Sequence, residues 1–476
     1  MKSIKNTKRI LFVEPSGSSA NIFTFAMKLP LFGPIGLATR LHNAGYNVFV
    51  IKENLLDRDD KINNYLEKAD ILILTLLTIT ANHGYEISQL YKKIRPDGKV
   101  IIGGMHASLM PEEVSHYADQ VAVGEGDNII LDLIEGTLKD KIIYGTPLEN
   151  FDDRPIPDFS LLKNSEKLRI IPIMTSIGCP FNCTFCCVSL VYGRKYRIQS
   201  PERTINEIKQ QMSFFKKKKK IYFYDDNFCA NKKLSLQLFD KIEEEGLKFK
   251  WLASVRADIA DDEQFVKRMA DVGCRLVFIG FESINEETLR GLNKRETFEQ
   301  IKGAIKIFHK YGISIHGMFI YGSDEDDYSI FNRTIKFCRK NMIEFGQFTA
   351  LTAFPGTDLS KQVKSQILNN NWDYYDGLHV TFKPKKISEW DVMNGILRSY
   401  KKVFSWWKIL KQMNRDFFYL FKIRSRTFKY RIYRMFNDFG RNIGMKISMK
   451  RWTKINENYL MEIQQKYKNI SVLINK

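Results

Sequence analysis

Cys179, Cys183 and Cys186 lie in the run Gly178-Cys-Pro-Phe-Asn-Cys-Thr-Phe-Cys, a C-x3-C-x2-C spacing directly after an apolar, strand-like stretch. Three thiolates at this spacing can hold a cubane iron–sulfur cluster whose fourth iron keeps no protein ligand. A vacant coordination position is what a substrate or cofactor needs to reach the metal, so the pattern points to a reactive centre rather than a structural one. Zinc is the competing occupant, but structural zinc takes four ligands in paired C-x2-C or C/H sets, and no second pair lies nearby. Taking Cys187 as the third ligand would break the aromatic-Cys step made by Phe185, so Cys187 is expected to be a packed thiol. Cys229, Cys274 and Cys338 stand alone and are expected to be buried structural thiols.

Two runs of alternating strands and helices surround this loop. Strands are predicted at Arg9–Glu14, Asn47–Lys52, Asp70–Leu77, Lys99–Gly104 and Gln120–Gly124, with helical patterns between them. That alternation argues a parallel sheet covered by helices, whose ligands bind at the carboxyl ends of the strands. Glycine turns stand at such ends: Phe32-Gly33-Pro34-Ile35-Gly36, Gly103-Gly104-Met105-His106 and Gly124-Glu125-Gly126-Asp127. The stretch Asp152-Asp153-Arg154-Pro155-Ile156-Pro157-Asp158 marks a boundary by its prolines and acids. Beyond it, strands are predicted at Ile170–Ser176, Lys220–Tyr224, Lys248–Val255, Arg275–Gly280, Ile313–Tyr321 and Gln347–Ala353, each with a helix after it except the last. Six strands in this order fit a partial (β/α)6 barrel. Such barrels place chemistry at strand carboxyl ends, and the cysteine loop lies just past the first.

The C-x3-C-x-aromatic-C motif resembles the radical S-adenosylmethionine superfamily, whose fold is a partial TIM-like barrel. The steps Gly103-Gly104-Met105-His106-Ala107 and Gly124-Glu125-Gly126-Asp127 resemble the Rossmann-like cobalamin-binding domain that precedes many such barrels. Phe354-Pro355-Gly356-Thr357 and Trp372-Asp373-Tyr374-Tyr375 look like the cobalamin-dependent branch that includes the hopanoid methylases. The resemblance implies an α/β chain with a cobalamin-binding domain at 1–145, a linker at 146–168, a barrel at 169–355 and a mainly helical C-terminal region at 356–476. It implies a [4Fe-4S] cluster on Cys179, Cys183 and Cys186, with S-adenosylmethionine on the open iron. It places Asp225 and Asp226 near the methionine amine, Ser254 and Arg256 at the end of the third strand, where an arginine can pair with a carboxylate, and Glu282 and Ser283 near the ribose. Gly103, Gly104, His106, Gly124, Glu125 and Gly126 are the corresponding candidates for cobalamin. None of the seven histidines has Asp two residues before it, so the mutase-type Asp-x-His-x-x-Gly loop is missing and cobalamin is expected without a protein imidazole. His83 and His106 themselves read best as hydrogen-bonding loop residues.

The implied activity is methylation of an unactivated carbon of a lipid or other apolar substrate through a 5′-deoxyadenosyl radical and methylcobalamin. The alternative is radical oxidation or cyclisation with cobalamin as redox mediator. Methylthiolation of tRNA needs a second cysteine trio in the N-terminal domain, and residues 1–178 contain no cysteine. A non-catalytic cobalamin sensor would leave the cysteine loop unexplained.

Seven cysteines around one tight cluster do not form a disulfide framework, so a reducing cytoplasm is expected. The N-terminal apolar run Ile10–Val13 ends at Glu14, too short for a signal peptide, and no membrane span is expected. The net charge of +20 is concentrated between Lys401 and Lys454, where sixteen Lys or Arg face only Asp416 and Asp438. Interleaved with these cations are Trp406, Trp407, Phe417, Phe418, Tyr419, Phe421, Phe428, Tyr430, Tyr433, Phe436 and Trp452. The composition suits peripheral contact with an anionic membrane, or else a helical cap with solvated lysines; nucleic acid is the weaker reading. An electron carrier such as ferredoxin or flavodoxin is the expected redox partner.

Overall fold

The computed structural model describes residues 8–17, 29–216, 220–405 and 428–474, with backbone alone at 428–438, 441 and 467–474. It divides into two compact units: Met1–Ser254 with Phe354–Gln362 and Asn371–Asp376, and Val255–Ala353 with Val363–Asn370 and Gly377–Lys476.

The first unit opens with β1 (Arg9–Glu14), β2 (Asn47–Lys52), β3 (Ile71–Thr75), β4 (Lys99–Gly103), β5 (Gln120–Gly124) and β6 (Ile142–Gly145). They form one parallel sheet in the order β2-β1-β3-β4-β5-β6. Ile10, Leu11, Phe12 and Val13 of β1 and Ile71 to Leu74 of β3 are all buried, as expected for strands covered on both faces. Three of the five expected strands have the bounds read from sequence. β6 was not foreseen: it is a short edge strand with Tyr144 turned out to solvent.

The same unit carries β7 (Ile171–Ile173), β8 (Ser176–Ile177), β9 (Arg197–Ile198), β10 (Lys220–Phe223) and most of β11 (Lys250–Val255). β7 and β11 flank β10 in parallel, whereas β8 and β9 form an antiparallel hairpin of their own. The strand expected over Ile170–Ser176 therefore breaks in two. Its cause is distant in sequence: the backbone N–H groups of Thr175 and Ser176 are drawn onto the Asp225 carboxylate.

The second unit holds β12 (Cys274–Glu282), β13 (Ser314–Tyr321) and β14 (Phe345–Ala350), paired in parallel. Within this unit the order is β14-β13-β12. The connecting helices start where capping residues place them. Asp262 accepts from the Phe265 N–H ahead of the helix Glu263–Asp271, and Thr297 forms a capping box with Gln300 ahead of Phe298–Lys310. Helices Glu389–Val403, Phe428–Ile455 and Glu457–Ile474 complete the unit. Trp406, Trp407, Phe417, Phe418, Tyr419 and Phe421 lie outside the described residues, and Phe428, Tyr430, Tyr433 and Phe436 are described by backbone alone. Trp452, one of the aromatics interleaved with the cations, is buried, as are Met449, Leu460 and Ile463.

Candidate functional site

The cysteine loop is the loop of the β8–β9 hairpin. Ser176 pairs with Ile198 and Ile177 with Arg197, so everything between Gly178 and Tyr196 hangs from two short legs. Gly178 has φ +85°, and a Cβ there would lie 2.7 Å from the Lys195 carbonyl oxygen, so the first step off the leg requires glycine. Cys179, Cys183 and Cys186 are partly exposed, while Cys187, Cys229, Cys274 and Cys338 are buried, as expected of packed thiols. Burial pushes the Cys186 thiol up to about 12, and the charges of Cys183, Asp226 and Cys179 add to the effect. Among the described residues no three Cys, His, Asp or Glu groups converge on a single ion. A cubane asks for something else, one thiolate on each of three different irons.

Asp225 and Asp226 follow β10 and diverge in role. Asp225 is buried, and its Oδ1 accepts from the Thr175 N–H at 2.7 Å and the Ser176 N–H at 3.2 Å. Its Oδ2 accepts from the Ser176 hydroxyl at 2.8 Å and from the Thr175 hydroxyl. All four bonds pin the β8 leg; burial raises this carboxyl to about 6 while those donors pull the other way. Asp225 is thus a support of the loop, with its accepting sites already filled. Asp226 is open to solvent but crowded by surrounding protein, which together with the charge of Asp225 pushes it up to about 7. A carboxyl that is reachable and poorly compensated suits a cationic ligand. Ser254 offers its hydroxyl to Tyr222 at 3.5 Å and its carbonyl to the Phe228 N–H at 2.9 Å.

At the carboxyl edge of the first sheet, Gly104 has φ +96° and a Cβ would stand 2.8 Å from both N and O of Leu76. Gly104 lets this turn lie flat against its neighbour, and Gly124 repeats the left-handed turn at φ +77°. His106 is fully buried, with Nε2 3.0 Å from the Tyr85 hydroxyl and Nδ1 3.4 Å from Thr78 Oγ1. Tyr85 and the Trp372 indole N–H both donate to Glu113, so the Trp372-x-x-Tyr375 segment is tied to this histidine's surroundings. His83 is bonded to Glu53 at 2.9 Å and Glu86 at 3.1 Å, which lift it to about 9. Neither ring has a nitrogen to spare. Both rings are hydrogen-bonded, as their reading as hydrogen-bonding loop residues expects. Glu125 is likewise engaged, by Arg197, and Gly126 lies against Leu37.

In the second unit, the Arg256 guanidinium is spent on Asp258 at 3.0 Å and on the carbonyls of Lys294 and Arg295 at 3.0 and 3.2 Å. Glu282 ends β12 at φ +57°, a left-handed conformation costly for a residue with a side chain, and contacts Lys294 at 3.2 Å. Burial raises its carboxyl, with Lys294 opposing. Ser283 Oγ accepts from the Asn285 N–H at 3.1 Å, closing the turn. Lys294 and Glu296, which bind Glu282 and the N–H groups of Ala257 and Asp258, were not anticipated. A lone Lys-Arg-Glu run carries no spacing signal that would mark them.

Residues 173–338 match the Radical SAM superfamily and residues 23–134 the B12 binding domain. The chain is similar to the bacteriochlorophyllide d C-12(1)-methyltransferase of Chlorobaculum tepidum, 29% identical over 86% of this chain and 90% of that protein. It is 30% identical to the C-8(2)-methyltransferase of the same organism, over 80% of this chain and 87% of that protein. The chain belongs to the cobalamin-binding radical S-adenosylmethionine enzymes. Among solved structures it shares its fold with the cobalamin-dependent S-adenosylmethionine radical enzyme OxsB, at a TM-score of 0.67 and 16% identity, over 95% of this chain and 75% of that one. As a family member it uses a [4Fe-4S] cluster, S-adenosylmethionine and cobalamin. The residues present fit these groups. Three part-exposed thiols share one anchored loop, and the carboxyl edge of the first sheet turns on glycines at Gly104 and Gly124.

Proposed function

We propose that this enzyme methylates an unactivated carbon of an apolar small molecule, a lipid or a macrocycle of the kind named for its relatives. The observation that carries this reading is the cysteine hairpin, hung from β7 and β10 within the unit that also contains the cobalamin-type sheet. In this reading 1–145 is the cobalamin-binding domain, 146–168 the linker, 169–355 the barrel and 356–476 the C-terminal helical region. Cys179, Cys183 and Cys186 hold the cluster, and the edge around Gly103, Gly104 and Gly124 receives the corrin. When bound, these groups supply reductive cleavage of the sulfonium and carriage of the methyl group. The chain's own part is to orient and shield. Asp226 accepts from the ammonium of S-adenosylmethionine, Asp225 holds the loop still, and the Glu282–Lys294 pair shapes the strand-end turn of its unit.

A one-electron donor of the ferredoxin or flavodoxin class is required. Peripheral membrane contact through 401–454 is supported by exposed Ile447 and Ile455 beside exposed Lys446, Lys450, Arg451 and Lys454. Among the described residues no helix is long and apolar enough to cross a membrane. Anaerobic reconstitution with reductant and S-adenosylmethionine tests the activity. Both 5′-deoxyadenosine and S-adenosylhomocysteine are expected; 5′-deoxyadenosine alone would favour the oxidative alternative. Flotation with anionic but not neutral vesicles is expected if the basic helix meets a membrane, and no flotation with either removes that part.

A further inference from the structure

The turn after β5 carries two carboxylates that the sequence places at the cofactor edge, and the structure commits both to arginines. Glu125 is buried and grips Arg197 with two prongs, Nη1 to Oε2 at 2.9 Å and Nη2 to Oε1. Arg197 also donates to the carbonyls of Leu148 at 3.2 Å and Tyr192 at 3.5 Å. Asp127 grips Arg154 in the same way, Nε to Oδ1 at 3.2 Å and Nη2 to Oδ2 at 2.5 Å, while the guanidinium lies 4.9 Å from the centre of the Phe151 ring. Arg203 then donates to the Arg154 carbonyl at 2.6 Å, and the Ser200 N–H to Asp152 at 2.8 Å. One turn of the first sheet thus holds the stretch before the barrel through Arg154, and the second leg of the cysteine hairpin through Arg197.

We propose that this double ion pair is a latch that sets where the cysteine hairpin stands relative to the carboxyl edge of the first sheet. Glu125, Asp127, Arg154 and Arg197 are then positioning residues for the meeting of the sulfonium with cobalamin. Three observations support it. The hairpin has only two legs; Asp225 fixes β8, and Arg197 is itself a residue of β9. Forked arginine–carboxylate pairs fix angle as well as distance. Buried pairs contribute little net stability compared with apolar residues of similar size, so two of them on one four-residue turn are better explained by geometry than by stability.

The inference rests on the cluster-and-cobalamin reading above, and the test separates the two. Full-length E125Q/R197M removes both charges without stranding either, and E125Q carries the test if the double variant does not fold. Amide hydrogen exchange of residues 176–198 in cofactor-free protein is expected to quicken about tenfold. Hydroxocobalamin affinity, followed by absorbance, should stay within about threefold of wild type. After reconstitution, the ratio of S-adenosylhomocysteine to 5′-deoxyadenosine should fall about tenfold, because the methyl hand-over depends on placement and reductive cleavage at the cluster does not. R197K, which keeps the charge but not the fork, should leave the ratio lowered, and a wild-type ratio in R197K overturns the latch. A tenfold loss of hydroxocobalamin affinity with unchanged exchange would make Glu125 a cofactor contact and overturn the latch. Unchanged exchange with full affinity, or faster exchange with an unchanged product ratio, overturns it equally. If wild-type protein takes up neither cluster nor cobalamin, the functional reading fails while the exchange result still judges the pair.

Discussion

Replacing Asp225 separates a support from a ligand contact. Both of its oxygens accept from Thr175 and Ser176, whose side chains are almost wholly buried. In Asp225→Asn the amide oxygen can keep the two backbone N–H groups, and the new NH2 can donate to the two hydroxyls, which turn round to accept. The charge lost is a small one. Burial holds the carboxyl near 6, so at pH 7 ionisation is favoured by only ~1.4 kcal/mol, and D225N should lose about 1–2 kcal/mol of stability. Asp225→Ala strands two buried N–H groups at about 1–3 kcal/mol each, or ~4 kcal/mol together, and frees the β8 leg. The assays are urea unfolding of the cofactor-free protein, iron per chain after anaerobic reconstitution, and equilibrium binding of S-adenosylmethionine to the loaded protein. D225N is expected to keep its iron and to bind S-adenosylmethionine within about threefold of wild type, whereas D225A loses iron. A folded, iron-replete D225N that binds S-adenosylmethionine as weakly as an alanine variant would refute the reasoning, since Asp225 would then be touching the ligand.

Asp226→Asn should do the opposite: stability and iron unchanged, and S-adenosylmethionine binding weaker by about 10- to 100-fold, the worth of one charge-assisted hydrogen bond. Glu207 is fully buried, its Oε1 lacks a partner, and burial raises it to about 7 from 4.5. The folded state therefore holds this proton more tightly than the unfolded one. Its contribution is fully present below about pH 4.5 and is lost as pH rises through 7, by up to ~3 kcal/mol. Unfolding curves at pH 5 and pH 8 should show wild type losing that margin and E207Q keeping it; equal losses in both would contradict the assignment. Gly104→Ala forces a side chain into φ +96° and against Leu76, so it should cost about 2–4 kcal/mol and weaken cobalamin binding by absorbance titration.

The fold was largely legible because its strands are either uniformly apolar, as in Ile71-Leu-Ile-Leu74, or bounded by glycine turns and capped helices. The cysteine loop was legible from spacing alone. What escaped depends on groups far apart in the chain. Nothing near Ile170–Ser176 shows that a carboxylate fifty residues on takes Thr175 and Ser176 out of the strand. The Glu125–Arg197 pair joins positions 72 apart, so a conspicuous Gly-Glu-Gly-Asp step reads as a ligand turn until its partners are seen. His106 was expected to be hydrogen-bonded, but its partners Thr78 and Tyr85 and the nearby Trp372 come from separate segments and could not be named. Arg256 and Glu282 were found at the strand ends expected of them, but their neighbours Lys294 and Glu296 carry no motif.

The central claim is that Cys179, Cys183 and Cys186 hold a four-iron cluster with one iron left for S-adenosylmethionine. Mössbauer spectra of anaerobically reconstituted 57Fe protein, taken with and without S-adenosylmethionine, test it most directly. One iron site of four should shift when S-adenosylmethionine is added, and Cys183→Ala should lose the cluster while still binding hydroxocobalamin. A cluster-free wild type, or a four-iron spectrum that S-adenosylmethionine leaves untouched, would contradict it.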